Sequence, residues 1–343
     1  MNFVDPVSGA TYPIDTPRWR SDSGGYLNLA QGAGLKRADI DTNCHSVWRY
    51  AKAIAVDVRH AVTMGEGGTP LLGGEWQGTS IRFKLEFMMP TGSFKDRGMT
   101  VMVSYLKSRG INEVLEDSSG NAGASLSAYA AAAGMRCRIL VPETASYPKI
   151  AQIAACGADV FTIRGTRQDV ADAAMRMSDE IFYASHNWQP FFAEGTKTLA
   201  YELWEQLGFN APDNVIVPLG YGSNVSGCAI GFGELLRNGE ITKMPRIFGV
   251  QAANCAPYFN AYQAGVDHLI PTTITPTIAE GIASSKPTRV VEALKAVRDS
   301  GGGIVAVSED EIVAALGTLA RKGFYVESTS AAAAAGLTQL LAS

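Results

Sequence analysis

From residue 113 onward the chain alternates short apolar runs with amphipathic stretches, and this alternation constrains the fold more than any other feature. Glu113–Asp117, Arg138–Val141, Val160–Ile163, Val215–Leu219, Arg246–Gln251 and Ile304–Val307 have the length and apolar content of buried strands. Helical patterns are interleaved with them at Lys149–Ala155, Gln168–Met177, Leu199–Leu207, Ile230–Leu236 and Val290–Arg298. Strand and helix in regular succession imply parallel sheets with right-handed crossovers, hence an α/β fold. Ser308 and Glu311 have the spacing of a capping box and mark another helix start. Further strands are expected at Ile81–Phe87 and Tyr325–Glu327, and a helix over residues 46–53.

Open α/β sheets bind ligands at the carboxyl ends of their strands, and four such loops carry reactive or polar groups. Met89-Pro90-Thr91-Gly92-Ser93-Phe94-Lys95 places a lysine at a helix start, where the helix dipole favours anions instead. A partly desolvated lysine can lose its proton and form a Schiff base with an aldehyde; the plain alternative is a surface lysine. Ser118-Ser119-Gly120-Asn121-Ala122 joins a strand to an alanine-rich helix and offers an amide and an anion-binding helix start, or simply a cap. Gly220-Tyr221-Gly222-Ser223-Asn224 follows a buried strand and suits a phosphate cradle, or an ordinary turn. It is neither a Walker loop nor a GxGxxG fingerprint. Ser328-Thr329-Ser330 opens the last helix, as a cap or as a hydroxyl facing a ring nitrogen. An amine, an amide, an anion cradle and a hydroxyl are together what a phosphorylated pyridine aldehyde requires.

Composition excludes several classes. Across 343 residues the net charge is −4, which gives no electrostatic case for nucleic acid or an anionic membrane. No apolar run is long enough to span a bilayer, and the first residues lack the pattern of a signal peptide. The five cysteines (44, 137, 156, 228 and 255) are scattered without a CxxC and read as reduced thiols of a cytoplasmic protein. Asp5–Gly9 and Ser21–Gly25 look like two knuckle turns without thiols, so no metal is expected there.

The segments Pro90–Gly98, Ser119–Ser125, Gly220–Asn224 and Glu327–Ala332 together resemble threonine synthase and its relatives among the fold-type II pyridoxal-phosphate enzymes, the tryptophan synthase β-like group. The resemblance covers nearly the whole chain. It implies two three-layer α/β domains and pyridoxal 5′-phosphate as cofactor, carried by Lys95. It also implies that Asn121 bonds the cofactor's 3-hydroxyl, that residues 220–224 hold its phosphate, and that Ser330, or failing it Thr329, meets the pyridine nitrogen. The substrate carboxylate is expected on Ser118, Ser119, Gly120 and Ala122. Phe192 stands where the family often carries an arginine, and Ala122-Gly123 replaces a more polar pair.

The implied activity is a lyase of amino-acid metabolism that converts O-phospho-L-homoserine and water to L-threonine and phosphate, with Lys95 as the general base. The alternative is a serine/threonine ammonia-lyase or β-replacement enzyme on the same scaffold, suggested by Phe192 and by Glu280-Gly281. A non-catalytic binding protein would have no use for Lys95. The expected division is a small mobile domain over residues 103–197 and a large cofactor-binding domain from 1–102 plus 198–343. The expected partner is a small amino-acid substrate, and the resemblance implies a homodimer.

Overall fold

The computed structural model describes residues 1–145 and 147–342. The chain forms two compact units, Met1–Pro70 with Leu85–Thr198 and Leu71–Lys84 with Leu199–Ser343.

The first unit opens with β1 (Asn2–Val4), β2 (Thr11–Pro13) and β3 (Asn28–Leu29), a small antiparallel sheet in the order β2-β1-β3. The two knuckle turns beside it are tied by hydrogen bonds. Asp5 Oδ1 accepts the N–H groups of Val7 and Ser8 at 2.9 and 3.2 Å, and Asp5 Oδ2 accepts the Ser23 hydroxyl at 2.8 Å. These donors hold the Asp5 carboxyl well below the usual carboxylate range. The helix expected over 46–53 is a 3-10 helix, Val47–Ala53, broken at Tyr50.

In the second unit a hairpin pairs β4 (Leu71–Trp76) with β5 (Thr79–Lys84). Gln77 at φ 50° and Gly78 at φ 80° make its two-residue turn, the left-handed pair that matches strand twist. The strand expected at Ile81–Phe87 therefore starts and ends earlier. Residues 86–88 instead form a 3-10 turn in the first unit.

The first unit continues with α1 (Lys95–Ser108), β6 (Glu113–Glu116), α2 (Asn121–Ala133), β7 (Arg136–Pro142), α3 (Tyr147–Ala155), β8 (Asp159–Ile163), α4 (Arg167–Met177), β9 (Phe182–Tyr183) and α5 (Pro190–Thr196). Its sheet runs β8-β7-β6-β9, all parallel. Gly134, at φ 64°, stops α2 in the left-handed conformation that glycine adopts without a Cβ penalty. Thr166 and Asp169 cap α4 reciprocally. Helix α1 is buried from Asp96 through Leu106 and packs against α2 and α5.

The second unit holds α6 (Thr198–Gln206), β10 (Asn214–Pro218), α7 (Ser223–Arg237), β11 (Arg246–Ala252), α8 (Pro257–Gln263), α9 (Val290–Asp299), β12 (Gly303–Val307), α10 (Glu309–Arg321) and α11 (Ser328–Ala342). Its parallel sheet runs β10-β11-β12. The expected capping box forms, with Ser308 accepting from the Glu311 N–H and the Glu311 carboxylate accepting from the Ser308 N–H at 2.7 Å. Helix α11 approaches β11 so closely that a Cβ on Gly336 would lie 2.4 Å from Val250.

One expected strand is absent. Residues 325–327 are not a strand: they join no sheet among the described residues, and Tyr325 is 93% exposed. β-propensity without a ladder to join does not make a strand. Residue 103, where the small domain was expected to begin, lies inside α1, and that helix packs alongside α2 and α5.

Candidate active site

The first unit presents Lys95 on a turn built to hold it. Gly92, at φ 87°, closes the Pro-Thr-Gly corner, and its N–H donates to the Met89 carbonyl at 2.9 Å. Lys95 is the first residue of α1 and is half-buried. The next residue, Asp96, supplies the anion that the helix start favours. Asp96 is fully buried and accepts the Thr91 N–H at 2.8 Å and the Thr91 and Ser125 hydroxyls at 2.5 Å each. Burial raises its pKa, and these donors oppose the rise. One carboxylate thus ties the lysine turn to α2.

The Lys95 amine stands 4.8 Å from the Phe94 ring centroid and 5.4 Å from that of Phe192. Phe192 is buried because α1 and α5 meet at glycines. A Cβ on Gly98 would lie 2.4 Å from the Phe192 ring, and one on Gly195 would lie 1.9 Å from the Arg97 carbonyl oxygen. The position expected to bear on the substrate therefore lies beside the lysine, as an aromatic wall.

Beyond β6, Ser118, Ser119 and Gly120 lead into Asn121, the first residue of α2. The Ser118 carbonyl folds over the helix start, where a Cβ on Gly123 would meet it at 1.9 Å. The Gly120 N–H donates to the Ser118 hydroxyl at 3.4 Å. Ala122 is buried, and Ser118, Ser119, Gly120 and Asn121 are half-buried. The first N–H groups of α2 thus converge where an anion can be bound.

Beneath this loop is a polar cluster that the sequence reading missed. Asp117 accepts the Tyr183 hydroxyl and the Arg167 guanidinium, both at 2.7 Å, and Glu116 contacts His186. Burial raises the pKa of both carboxyls, with Arg167 opposing the rise at Asp117. Burial, followed by the charge of Lys95, pushes His186 well below its ordinary value. The only sequence signal was a Glu-Asp pair at the end of an apolar strand.

In the second unit β10 runs into Gly220 and Tyr221, and Gly222 at φ 94° turns the chain into α7, which starts at Ser223. Side chains at positions 220 and 222 would be crowded. A Cβ on Gly220 would meet Ile282 Cα at 3.0 Å, and one on Gly222 would meet Ala293 at 3.0 Å and the Tyr258 hydroxyl at 3.1 Å. The Tyr258 hydroxyl donates to the Tyr221 carbonyl at 3.2 Å. At the start of α7, Asn224 Oδ1 and Ser226 Oγ are buried without a hydrogen-bond partner among the described residues. A helix start and the orphaned Ser226 hydroxyl, which can donate, fit a phosphate group, and Asn224 could reach it through its amide NH2. At α11, the Thr329 hydroxyl accepts the Gly281 N–H at 3.0 Å, whereas Ser330, one position on, is half-buried.

Residues 62–343 match the family model described as pyridoxal-phosphate dependent enzyme. The chain belongs to the pyridoxal-phosphate-dependent enzyme family. Pyridoxal phosphate is accordingly its cofactor, and its substrate is a small molecule. Among curated members of this family, the threonine synthase of Methanocaldococcus jannaschii is 37% identical, covering 97% of this chain and 86% of that protein. The threonine synthase of Methanosarcina acetivorans is 38% identical over 97% of this chain and 85% of its own. That of Mycobacterium tuberculosis is 37% identical over 82% and 78%. Among solved structures, a threonine deaminase from T.th. superposes with a TM-score of 0.70 at 25% identity, covering 80% of this chain and 88% of that one. The processed form of threonine deaminase isoform 2 from Solanum lycopersicum also gives 0.70, at 23% identity over 97% and 86%. These neighbours share the two-domain α/β fold. Among the described residues no helix is long and apolar enough to cross a membrane.

Proposed function

We propose that this pyridoxal-phosphate enzyme acts as a threonine synthase, releasing phosphate from O-phospho-L-homoserine and adding water to give L-threonine. The observation that carries this reading is the 37–38% identity to threonine synthases over as much as 97% of the chain. Support for the ammonia-lyase alternative is weaker, since the threonine deaminases resemble the chain at 23–25% identity.

In this reading Lys95 binds the cofactor and its amine serves as the general base at Cα, then moves protons at Cβ. Pyridoxal phosphate, when bound, supplies the electron sink that makes the Cα and Cβ protons acidic. Asn121 meets the cofactor's hydroxyl, and Gly220, Tyr221, Gly222, Ser223 and Asn224 hold its phosphate. Ser330, or failing it Thr329, whose hydroxyl accepts the Gly281 N–H, faces the pyridine nitrogen. Ser118, Ser119, Gly120 and Ala122 receive the substrate carboxylate at the start of α2. Phe192 gives the substrate side chain an apolar neighbour and excludes water from the reacting carbons. A homodimer and a cytoplasmic location complete the proposal.

The test is a two-channel turnover assay on cofactor-loaded protein. One channel follows phosphate and L-threonine from O-phospho-L-homoserine, and the other follows 2-oxoacid from L-serine and L-threonine. Phosphate with L-threonine is expected. A 2-oxoacid without phosphate release would overturn the reading in favour of an ammonia-lyase. Lys95→Ala should lose both the cofactor's lysine-linked absorbance and turnover; a variant that still turns over would remove Lys95 from its role.

A further inference from the structure

Glu116 ends β6, and His186 lies between β9 and α5, yet the two meet in the interior of the first unit. The His186 main-chain N–H donates to Glu116 Oε2 at 3.0 Å, and the ring Nδ1 stands 3.3 Å from the same oxygen. Glu116 is 0% exposed. On its other side the imidazole meets the Phe192 ring edge-on, with centroids 5.4 Å apart. The Lys95 amine also lies 5.4 Å from the Phe192 centroid. His186 and Lys95 thus share one aromatic neighbour, and Gly98 fixes that ring on the face of α1 from which Lys95 emerges.

The charged and titratable groups around His186 are Glu116 and Asp117 from β6 and the residue after it, Tyr183 from β9, Arg167 from α4 and Lys95 from α1. Asp117 is occupied by Arg167 and Tyr183. Glu116 is the carboxyl that orients the imidazole. Burial favours the protonated carboxyl and the neutral ring, and the nearby Lys95 charge disfavours imidazolium.

We propose that Glu116 and His186 form an uncharged hydrogen-bonded pair, and that His186 is thereby a positioning residue. It fixes Phe192 against Lys95 and keeps a second positive charge away from the lysine amine. The catalytic scheme above uses neither residue. The inference rests on the reading of Lys95 as the cofactor-bearing lysine.

The experiment is a spectrophotometric pH titration of the lysine-linked cofactor in the holoenzyme, with melting temperature and steady-state kinetics measured alongside. Glu116→Gln, with its amide oxygen in place of Oε2, still accepts the His186 main-chain N–H and the Nδ1–H of a neutral ring, so its midpoint should stay within about 0.3 pH unit of wild type. His186→Gln keeps a partner for Glu116 but lacks the ring. It should move the midpoint by about half a unit or more and lower kcat/KM about tenfold. A shift of about one unit or more in Glu116→Gln would reveal an ion pair and overturn the proposal. An unchanged midpoint in His186→Gln would reduce His186 to packing and overturn it too. Borohydride reduction with peptide mapping separates the two levels. A label on another lysine overturns both readings. A label on Lys95 with either failing titration overturns this one alone.

Discussion

Replacing Asp96 by alanine is the perturbation whose cost can be worked most directly. The carboxylate accepts three hydrogen bonds, from the Thr91 N–H, the Thr91 hydroxyl and the Ser125 hydroxyl. Bonds to a charged acceptor contribute roughly 1.5–3 kcal/mol each, but desolvation of the buried carboxyl offsets much of the sum. In Asp96→Ala the two hydroxyls can rotate toward other acceptors, whereas the Thr91 N–H cannot. Stranding it and losing the cross-link to α2 should cost about 3 kcal/mol in all. For a unit of this size that lowers the melting temperature by about 6–12 °C. Asp96→Asn should be milder, at about 1 kcal/mol. Its amide oxygen can take the Thr91 N–H while its NH2 faces the hydroxyls, which turn to accept. The assay is thermal unfolding of cofactor-stripped protein followed by circular dichroism, with a cofactor-binding titration in parallel. Affinity should fall with stability, because the Lys95 turn is what loosens. A melting temperature for Asp96→Ala within about 2 °C of wild type, or an asparagine variant as damaged as the alanine one, would refute the reasoning.

Gly195→Ala forces a methyl to within 1.9 Å of the Arg97 carbonyl, so α5 must move off α1. The expected loss is about 1–3 kcal/mol in chemical denaturation, with kcat falling as the Phe192 wall shifts; wild-type stability would contradict the packing argument. Glu66 is buried, accepts from Thr63, Met64 and Tyr129, and has its pKa raised by burial. A raised folded-state pKa means that stability is lost as pH rises through it. Glu66→Gln cannot ionise, so its stability relative to wild type should be greater at pH 8 than at pH 5. An equal difference at both pH values would count against a buried, titrating Glu66. Thr329→Ala removes the acceptor of the Gly281 N–H and should cost about 1 kcal/mol. Ser330→Ala should instead move the bound cofactor's absorbance maximum with little change in melting; the reverse pattern would exchange the two roles.

The order of elements was legible because its determinants are local. Apolar periodicity placed β6, β7, β8, β10, β11 and β12, with α3, α4, α6 and α9, to within a few residues, whereas β9, α5 and α8 went unseen. The capping box at Ser308 and Glu311 formed as its spacing required. The loops carrying Asn121 and Gly220–Asn224 follow strands because glycine, serine and asparagine turns end strands wherever they occur; the Lys95 loop follows a 3-10 turn instead. The residues at 325–327 show the limit: a strand needs a partner ladder, and no local pattern supplies one. The β4–β5 hairpin was only half visible, since its Gln77-Gly78 turn reads as a turn only once two strands flank it.

By itself, then, the sequence determined the α/β class, the succession of elements and the chemistry of each loop, since all of these depend on residues within a few positions of one another. The tertiary structure decided what distance along the chain conceals. It grouped α1 with β6–β9 while giving the β4–β5 hairpin to the other unit, and it set Phe192 on Gly98 beside Lys95. It committed Thr329 to Gly281 and joined Glu116 to His186. The physical reason is burial. Which polar groups lose water together, and which glycine lets two helices touch, is fixed only when distant segments pack.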